Sequence, residues 1–203
     1  MGIKAQGQTT ILKLNYRNTE EILSFAYEFA KNIMQPTEDS EEDSPVLMKP
    51  QSVGRHGAKP KFTRLSSFSA DTKHICDRLY EYRGLAWNDM AILYSSDFMG
   101  QSLSHALKNV DIPVEWLNED SNSKRYQPEA QSVKLLTMHS SKGLEFPVVF
   151  ILDVGFMPNQ SHAIADEARL LYVAMTRATE YLEVSCDRDL AFVKRLERGI
   201  VES

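Results

Sequence analysis

The chain has 203 residues, 42% of them hydrophobic and 25% charged, and a formal net charge of −5. That length supports one sizeable core. No apolar run approaches the roughly 20 residues that a membrane span needs, and the start lacks a signal-peptide core, so the composition reads as that of a cytoplasmic protein. Cys76 and Cys186 are too far apart for a metal-ligand pattern and read as reduced, buried thiols. The mild acidity argues against a dedicated basic nucleic-acid clamp. Five of the acids, however, fall within residues 37–45, and without that stretch the remainder is neutral. A protein that grips nucleic acid along one narrow path is therefore not excluded.

In chain order, residues 10–14 read as a short strand. Asn18, Thr19, Glu20 and Glu21 form a helix start in which Asn18 or Thr19 can cap. Ile22, Leu23, Phe25, Ala26, Phe29, Ala30 and Ile33 follow at helical spacing, and this helix ends by Pro36. Residues 36–59 read as a flexible acidic surface loop. A strand over 61–65 and an amphipathic helix over 71–82 come next, with His74 and Cys76 as structural residues of that helix. Residues 90–94 (MAILY) have a buried-strand pattern, 103–107 lie in a helix, and 112–114 turn into a short strand. Residues 117–131 read as a polar linker. After a strand at 133–136 comes a polar loop, then PVVFILD with five consecutive apolar residues, a buried strand. Leu170, Leu171, Val173 and Ala174 are helical, 181–185 form another strand, and 190–196 a last helix. Trp87 and Trp116 read as packing residues. No internal repeat is present. The alternation gives an α/β fold with a mostly parallel sheet. The polar residues fall where strands end and helices begin, the edge at which open parallel sheets bind ligands.

Three stretches carry a resemblance. TMHSSKGLEF (137–146), DEARLLYVAMTRA (166–178) and LNYRNTEEIL (14–23) closely resemble motifs V, VI and IV of the UvrD/Rep/PcrA family of superfamily 1 DNA helicases. The likeness runs from about Leu12 to Cys186. It implies that residues 1–203 form a single C-terminal RecA-like motor domain, a P-loop NTPase-like sheet flanked by helices but without its own P-loop. The residues agree: no GxxxxGK[ST] occurs, and no acidic pair follows to hold magnesium. ATP is thus the expected cofactor, with Mg2+ held by a missing N-terminal RecA-like domain of the same parent. The parent is expected to be an ATP-dependent DNA helicase or translocase running 3′ to 5′, and the isolated fragment to be inactive. The rival expectation is a non-unwinding, motor-like module that remodels protein–nucleic-acid or polymerase complexes. Ser95 and Gln101, at positions where the family places arginines, favour it. Larger relatives insert a helical subdomain near 117–131, and here there is room only for a loop.

The resemblance also assigns roles. Arg17 and Arg177 match arginines that reach the ATP γ-phosphate; a guanidinium fork holds two phosphate oxygens, stays ionised and stabilises the charge of a loose transition state. Tyr16 matches a residue that stacks on adenine. Glu145 matches a carboxylate on the ribose hydroxyls, where acceptor oxygens suit a diol. Thr137, His139 and Lys142 match a loop that holds single-stranded DNA through its phosphates and links that grip to the nucleotide. His139 beside Ser140 and Ser141 is no nucleophilic triad, because no GxSxG elbow is present. Asp166, Glu167 and Arg169 are expected to position the motif VI helix or to contact neighbouring motifs, and Ala168 replaces a frequent arginine of that helix. No metal ligands are assigned. Arg17 and Arg177 are expected to meet at one mouth of the sheet, beside the DNA-gripping loop.

Overall fold

The computed structural model describes residues 14–15, 17–34, 51–52, 54–117, 126–159, 161–189 and 191–202. Tyr16, the acidic run 37–45 and residues 118–125 lie outside the described residues. In chain order the elements are β1 (Leu14–Asn15), α1 (Glu20–Ala30), β2 (Gln51–Ser52), β3 (Lys61–Arg64), α2 (Phe68–Glu81), β4 (Met90–Tyr94), α3 (Asp97–Asn109), β5 (Val114–Leu117), β6 (Val133–Thr137), β7 (Phe146–Ile151), α4 (Ile164–Met175), β8 (Ala178–Cys186) and α5 (Ala191–Glu202). Six strands form one all-parallel sheet in the order β3-β8-β7-β4-β6-β5. β1 and β2 pair separately, also in parallel.

The central strand β4 is buried at all five positions, because helices cover both faces of a parallel sheet. Its side chains alternate between two cores. Met90, Ile92 and Tyr94 pack with Ile75 and Leu79 of α2 and with Leu103 and Leu107 of α3. Ala91 and Leu93 face the core built by α1, α4 and α5, including Phe25, Phe29, Leu171 and Phe192. Each large side chain so buried contributes about 1.5–3 kcal/mol. Phe29 and Phe192 meet edge to face at 5.1 Å, joining α1 to α5. Gly100 lets α3 settle onto Tyr94, since a Cβ there would lie 2.4 Å from the ring. The Tyr94 hydroxyl accepts from Trp116 Nε1 at 2.6 Å, which makes Trp116 a packing residue.

Described residues within two stretches read as irregular make defined contacts. Within 36–59, Gln51–Ser52 pairs with β1, and the Gly57 amide donates to Glu21 Oε2 at 2.9 Å. Within 117–131, the carbonyls of Gln127 and Ala130 accept from Lys134 Nζ at 2.7 and 3.0 Å. Lys134 is fully buried in β6, and Glu115 neutralises it at 2.6 Å. A buried ammonium needs both the opposite charge and filled acceptors.

The helix starts follow their cap residues. Thr19 Oγ1 accepts from the Ile22 amide at 3.4 Å, with Glu20 and Glu21 in the first turn of α1. Ser67 does the same for α2 through the Ala70 amide at 3.2 Å. Ser67→Ala is expected to cost about 1 kcal/mol, read as a lower urea midpoint at unchanged slope. On α2, His74 Nε2 and Arg78 Nε both meet the buried Glu183 carboxylate, at 2.6 and 2.7 Å, so His74 is a structural residue.

Candidate functional site

The segment between β1 and α1 lies against the junction between α4 and β8. Arg17 pairs with Glu145. Its side chain is 71% exposed and that of Glu145 30%. Arg177 is held more firmly: its Nε donates to the Val173 carbonyl at 3.0 Å and its Nη1 to the Leu144 carbonyl at 3.1 Å. Burial lowers the Arg177 pKa from its ordinary value, the Glu145 charge opposes that, and the nearby Arg17 charge adds to it. The two arginines, 160 positions apart in sequence, therefore flank one carboxylate. They form a concentrated cationic site with fork-shaped donors, the chemistry that polyphosphate oxygens require.

Asn18 joins the two halves. It is buried, and its Nδ2 donates to the Thr176 carbonyl at 2.9 Å and also to the Ala178 carbonyl. These carbonyls bracket Arg177. Of the two cap candidates, Thr19 caps α1 and Asn18 makes this clamp instead. Nothing in its sequence setting distinguishes the two, because the partners are backbone groups of a distant segment.

The arginines meet at one edge of the sheet, against Leu144 and Glu145 at the end of the loop, but the expectation that the DNA-gripping residues at the start of the loop share that edge is corrected. Glu145 and Arg177 immediately precede β7 and β8, so they lie at the N-terminal edge. Thr137 ends β6, which puts His139 at the C-terminal edge. The reason is topological. β6 and β7 run parallel on opposite sides of β4, so residues 138–145 must recross the height of the sheet. A five-residue strand is about 17 Å long. The polar loop thus spans from one edge to the other, with His139 near its beginning and Glu145 at its end.

Within that loop, Thr137 Oγ1 bonds Ser140 Oγ at 2.8 Å and accepts from the Ser140 amide at 3.0 Å. Ser141, fully buried, donates to the Met138 carbonyl at 2.6 Å. The Thr137 hydroxyl is therefore committed to the turn, while His139 and Lys142 are exposed. His139 lines a groove of about 520 Å³ together with Ser95, Ser96, Phe156, Asn159 and His162. The buried Glu167 braces it, accepting from the Asn159 amide at 3.1 Å and meeting His162 Nδ1 at 2.8 Å. The groove lies at the C-terminal ends of β4, β6 and β7, where the chain passes from one side of β4 to the other. That is where open parallel sheets form a ligand crevice. Its donors are hydroxyl, imidazole and amide groups, and Ser95 stands where an arginine was expected. Tyr16 lies outside the described residues. Among the described residues no group of three or more His, Cys, Asp or Glu could hold a metal ion, and no helix is long and apolar enough to cross a membrane.

Comparison with known proteins agrees with this architecture. The family model for the UvrD-like helicase C-terminal domain matches residues 10–121 and 115–189. The chain is similar to the ATP-dependent DNA helicase Rep of Escherichia coli K12, 45% identical over 62 residues that make up 28% of this chain and 9% of that protein. It is similar to the ATP-dependent DNA helicase PcrA of Staphylococcus aureus NCTC 8325, 42% identical over 62 residues, 26% of this chain and 8% of that protein. The matched stretch is thus less than a tenth of the length of either relative. Among solved structures, the C-terminal domain of a possible DNA helicase from Lactobacillus plantarum WCFS1 has the same fold, with a TM-score of 0.65 and 22% identity, covering 92% of this chain and 96% of that one.

Proposed function

The chain belongs to the UvrD-like helicase C-terminal domain family, and from that premise we propose that it is the second motor half of an ATP-dependent DNA helicase or translocase. The observation that carries the proposal is the convergence of Arg17 and Arg177 on Glu145. An ATP molecule held mainly by a first motor domain, with its Mg2+, would present its γ-phosphate to these guanidiniums when the two halves close. Arg177 is already oriented by the Val173 and Leu144 carbonyls. The Arg17 side chain is mostly exposed and pairs with Glu145, and exposed pairs contribute about 1 kcal/mol or less. A triphosphate can displace that pair, which frees Glu145 for the ribose hydroxyls. Tyr16, adjacent to Arg17, supplies the adenine face in this reading.

Single-stranded DNA occupies the groove at the opposite edge in this reading, with His139 directed at phosphates and the Ser95–Ser96 hydroxyls along its wall; Lys142, exposed three residues on and outside the groove lining, adds a positive charge to the same loop. Thr137 contributes by shaping the turn. The 138–145 segment gives the coupling a physical route, because it joins the two sites without an intervening helix. A shift of Glu145 on nucleotide closure is passed along a short, hydrogen-bonded turn to His139.

One experiment tests the assignment. The isolated chain should hydrolyse ATP negligibly, since it lacks the amide cradle for the phosphates. It should bind single-stranded DNA weakly, with an affinity that falls as salt rises. In the full-length parent, DNA should stimulate ATP turnover. Appreciable turnover by the isolated chain counts against the reading. A second reading, a motor-like module that remodels protein–nucleic-acid complexes without unwinding, is favoured by the groove's lack of a guanidinium at Ser95. Strand-separation assays on the parent discriminate: turnover stimulated by a protein partner, without unwinding, selects the second reading.

A further inference from the structure

The two arginines need a fixed separation to share one phosphate group, yet Arg17 has a long, exposed side chain on a short segment between β1 and α1. We propose that Arg55 and Asn18 are positioning residues that set Arg17 relative to Arg177. The inference rests on the reading of both arginines as γ-phosphate ligands.

Arg55 Nη1 donates to the Arg17 carbonyl at 2.6 Å, and its Nη2 meets Glu180 Oε1 at 3.0 Å. Glu180 lies on β8, three residues after Arg177. One guanidinium therefore bridges the peptide of the first arginine to the strand that follows the second. Asn18 makes the matching tie from the other side, through the carbonyls of Thr176 and Ala178. The strap that carries Arg55 is itself seated on α1. The Arg55 carbonyl accepts from the Glu20 amide at 2.9 Å, and His56 sits 3.2 Å from Glu21 and 3.7 Å from Glu20. Gly57 lies so close to the cap residue that an added Cβ would come 2.5 Å from the Thr19 methyl. Arg17 is thus anchored at its main chain from two directions, while its guanidinium, paired with Glu145, is mostly exposed at the surface. Anchoring of this kind matters because a misplacement of about 1 Å costs up to about a hundredfold in rate.

The Arg55–Glu180 pair is itself exposed, 39% and 46% at the two side chains, and exposed pairs contribute little to stability. Its removal should therefore alter rate without unfolding the domain. In the full-length parent at saturating single-stranded DNA, Arg55→Ala is expected to lower kcat about tenfold. KM for ATP should stay within about twofold and the thermal midpoint should be unchanged. Arg55→Lys, which keeps the charge but has no fork to span both partners, should recover part of the loss. Asn18→Ala, which removes both donors without adding a charge, should also lower kcat, with some loss of thermal midpoint because the two carbonyls lose their partner. In an Arg17→Ala background, Arg55→Ala should have no further effect. An unchanged kcat in Arg55→Ala, with Arg17→Ala impaired, overturns the clamp alone. The same tenfold loss persisting in the Arg17→Ala background also overturns it. Wild-type turnover by Arg17→Ala overturns the γ-phosphate reading and the clamp with it.

Discussion

Arg177→Ala in the full-length parent should lower ATP turnover by about a thousandfold or more, the range in which a phosphate-directed arginine acts, while nucleotide affinity changes little. The magnitude follows from where the side chain is held. Its Nε and Nη1 are fixed by the Val173 and Leu144 carbonyls, so its orientation is set before ATP arrives and little side-chain entropy is lost at closure. Arg17, by contrast, must give up its Glu145 pair and become ordered. The loss from Arg17→Ala should therefore be smaller. Arg177→Lys should not rescue, because an ammonium cannot make both carbonyl contacts and still offer a fork to two phosphate oxygens. Steady-state turnover and titration with a fluorescent nucleotide separate the effects. If turnover survives in Arg177→Ala with the fold intact, the guanidinium has no part in phosphoryl transfer.

The layers of the fold were legible because they are local. MAILY alternates between the two cores as a doubly covered strand must, and the Asn18–Glu21 run marks the start of α1. What local pattern could not give is strand order. That β6 and β7 lie on opposite sides of β4 is a non-local fact; the separation of Glu145 from His139 follows from the two strands running parallel, joined by a segment as short as 138–145. The resemblance supplied the roles proposed for Arg17, Arg177 and Glu145, and the structure brings these three together. Composition would have passed over all of them as surface charge. The carbonyl contacts of Asn18, which reads as a cap candidate, and of Arg55 are not legible in sequence for a different reason. Each side chain works on backbone carbonyls, and a carbonyl leaves no trace in residue identity. Arg55 was further hidden in a stretch whose acids and glycines read as irregular. The bracing of the groove was equally silent, since a His and a Glu five positions apart are not neighbours on a helix face.

A second large effect concerns pH. Asp71 of α2 and Asp153 beyond β7 are fully buried, and Asp187, beyond β8, donates its amide to Asp153 Oδ1 at 3.1 Å. The Ser185 hydroxyl near them is engaged with the Ile151 carbonyl at 3.3 Å. Burial pushes the Asp71 carboxyl up to about 7; Ser185 pulls it down in part, and the Asp153 and Asp187 charges push it further up. Burial likewise pushes Asp153 up to about 6, against the Asp187 amide. In the unfolded chain such groups titrate near about 4. Between about pH 4 and 7 the native state therefore holds more protons than the unfolded state, and stability falls as pH rises. The slope approaches roughly 1.4 kcal/mol per pH unit for each proton retained. The stabilisation is complete below the unfolded pKa and is lost as pH passes through the folded values of about 6 and 7. Urea midpoints should therefore be higher at pH 5 than at pH 8. Asp71→Asn, which imitates the protonated acid, should remove most of that difference by raising stability at pH 8. Asp153→Asn should act in the same direction, helped by the left-handed backbone at this position (φ 45°), which Asn tolerates. Equal pH dependence in the wild type and in Asp71→Asn would mean that the Asp71 carboxyl ionises inside the folded domain without cost.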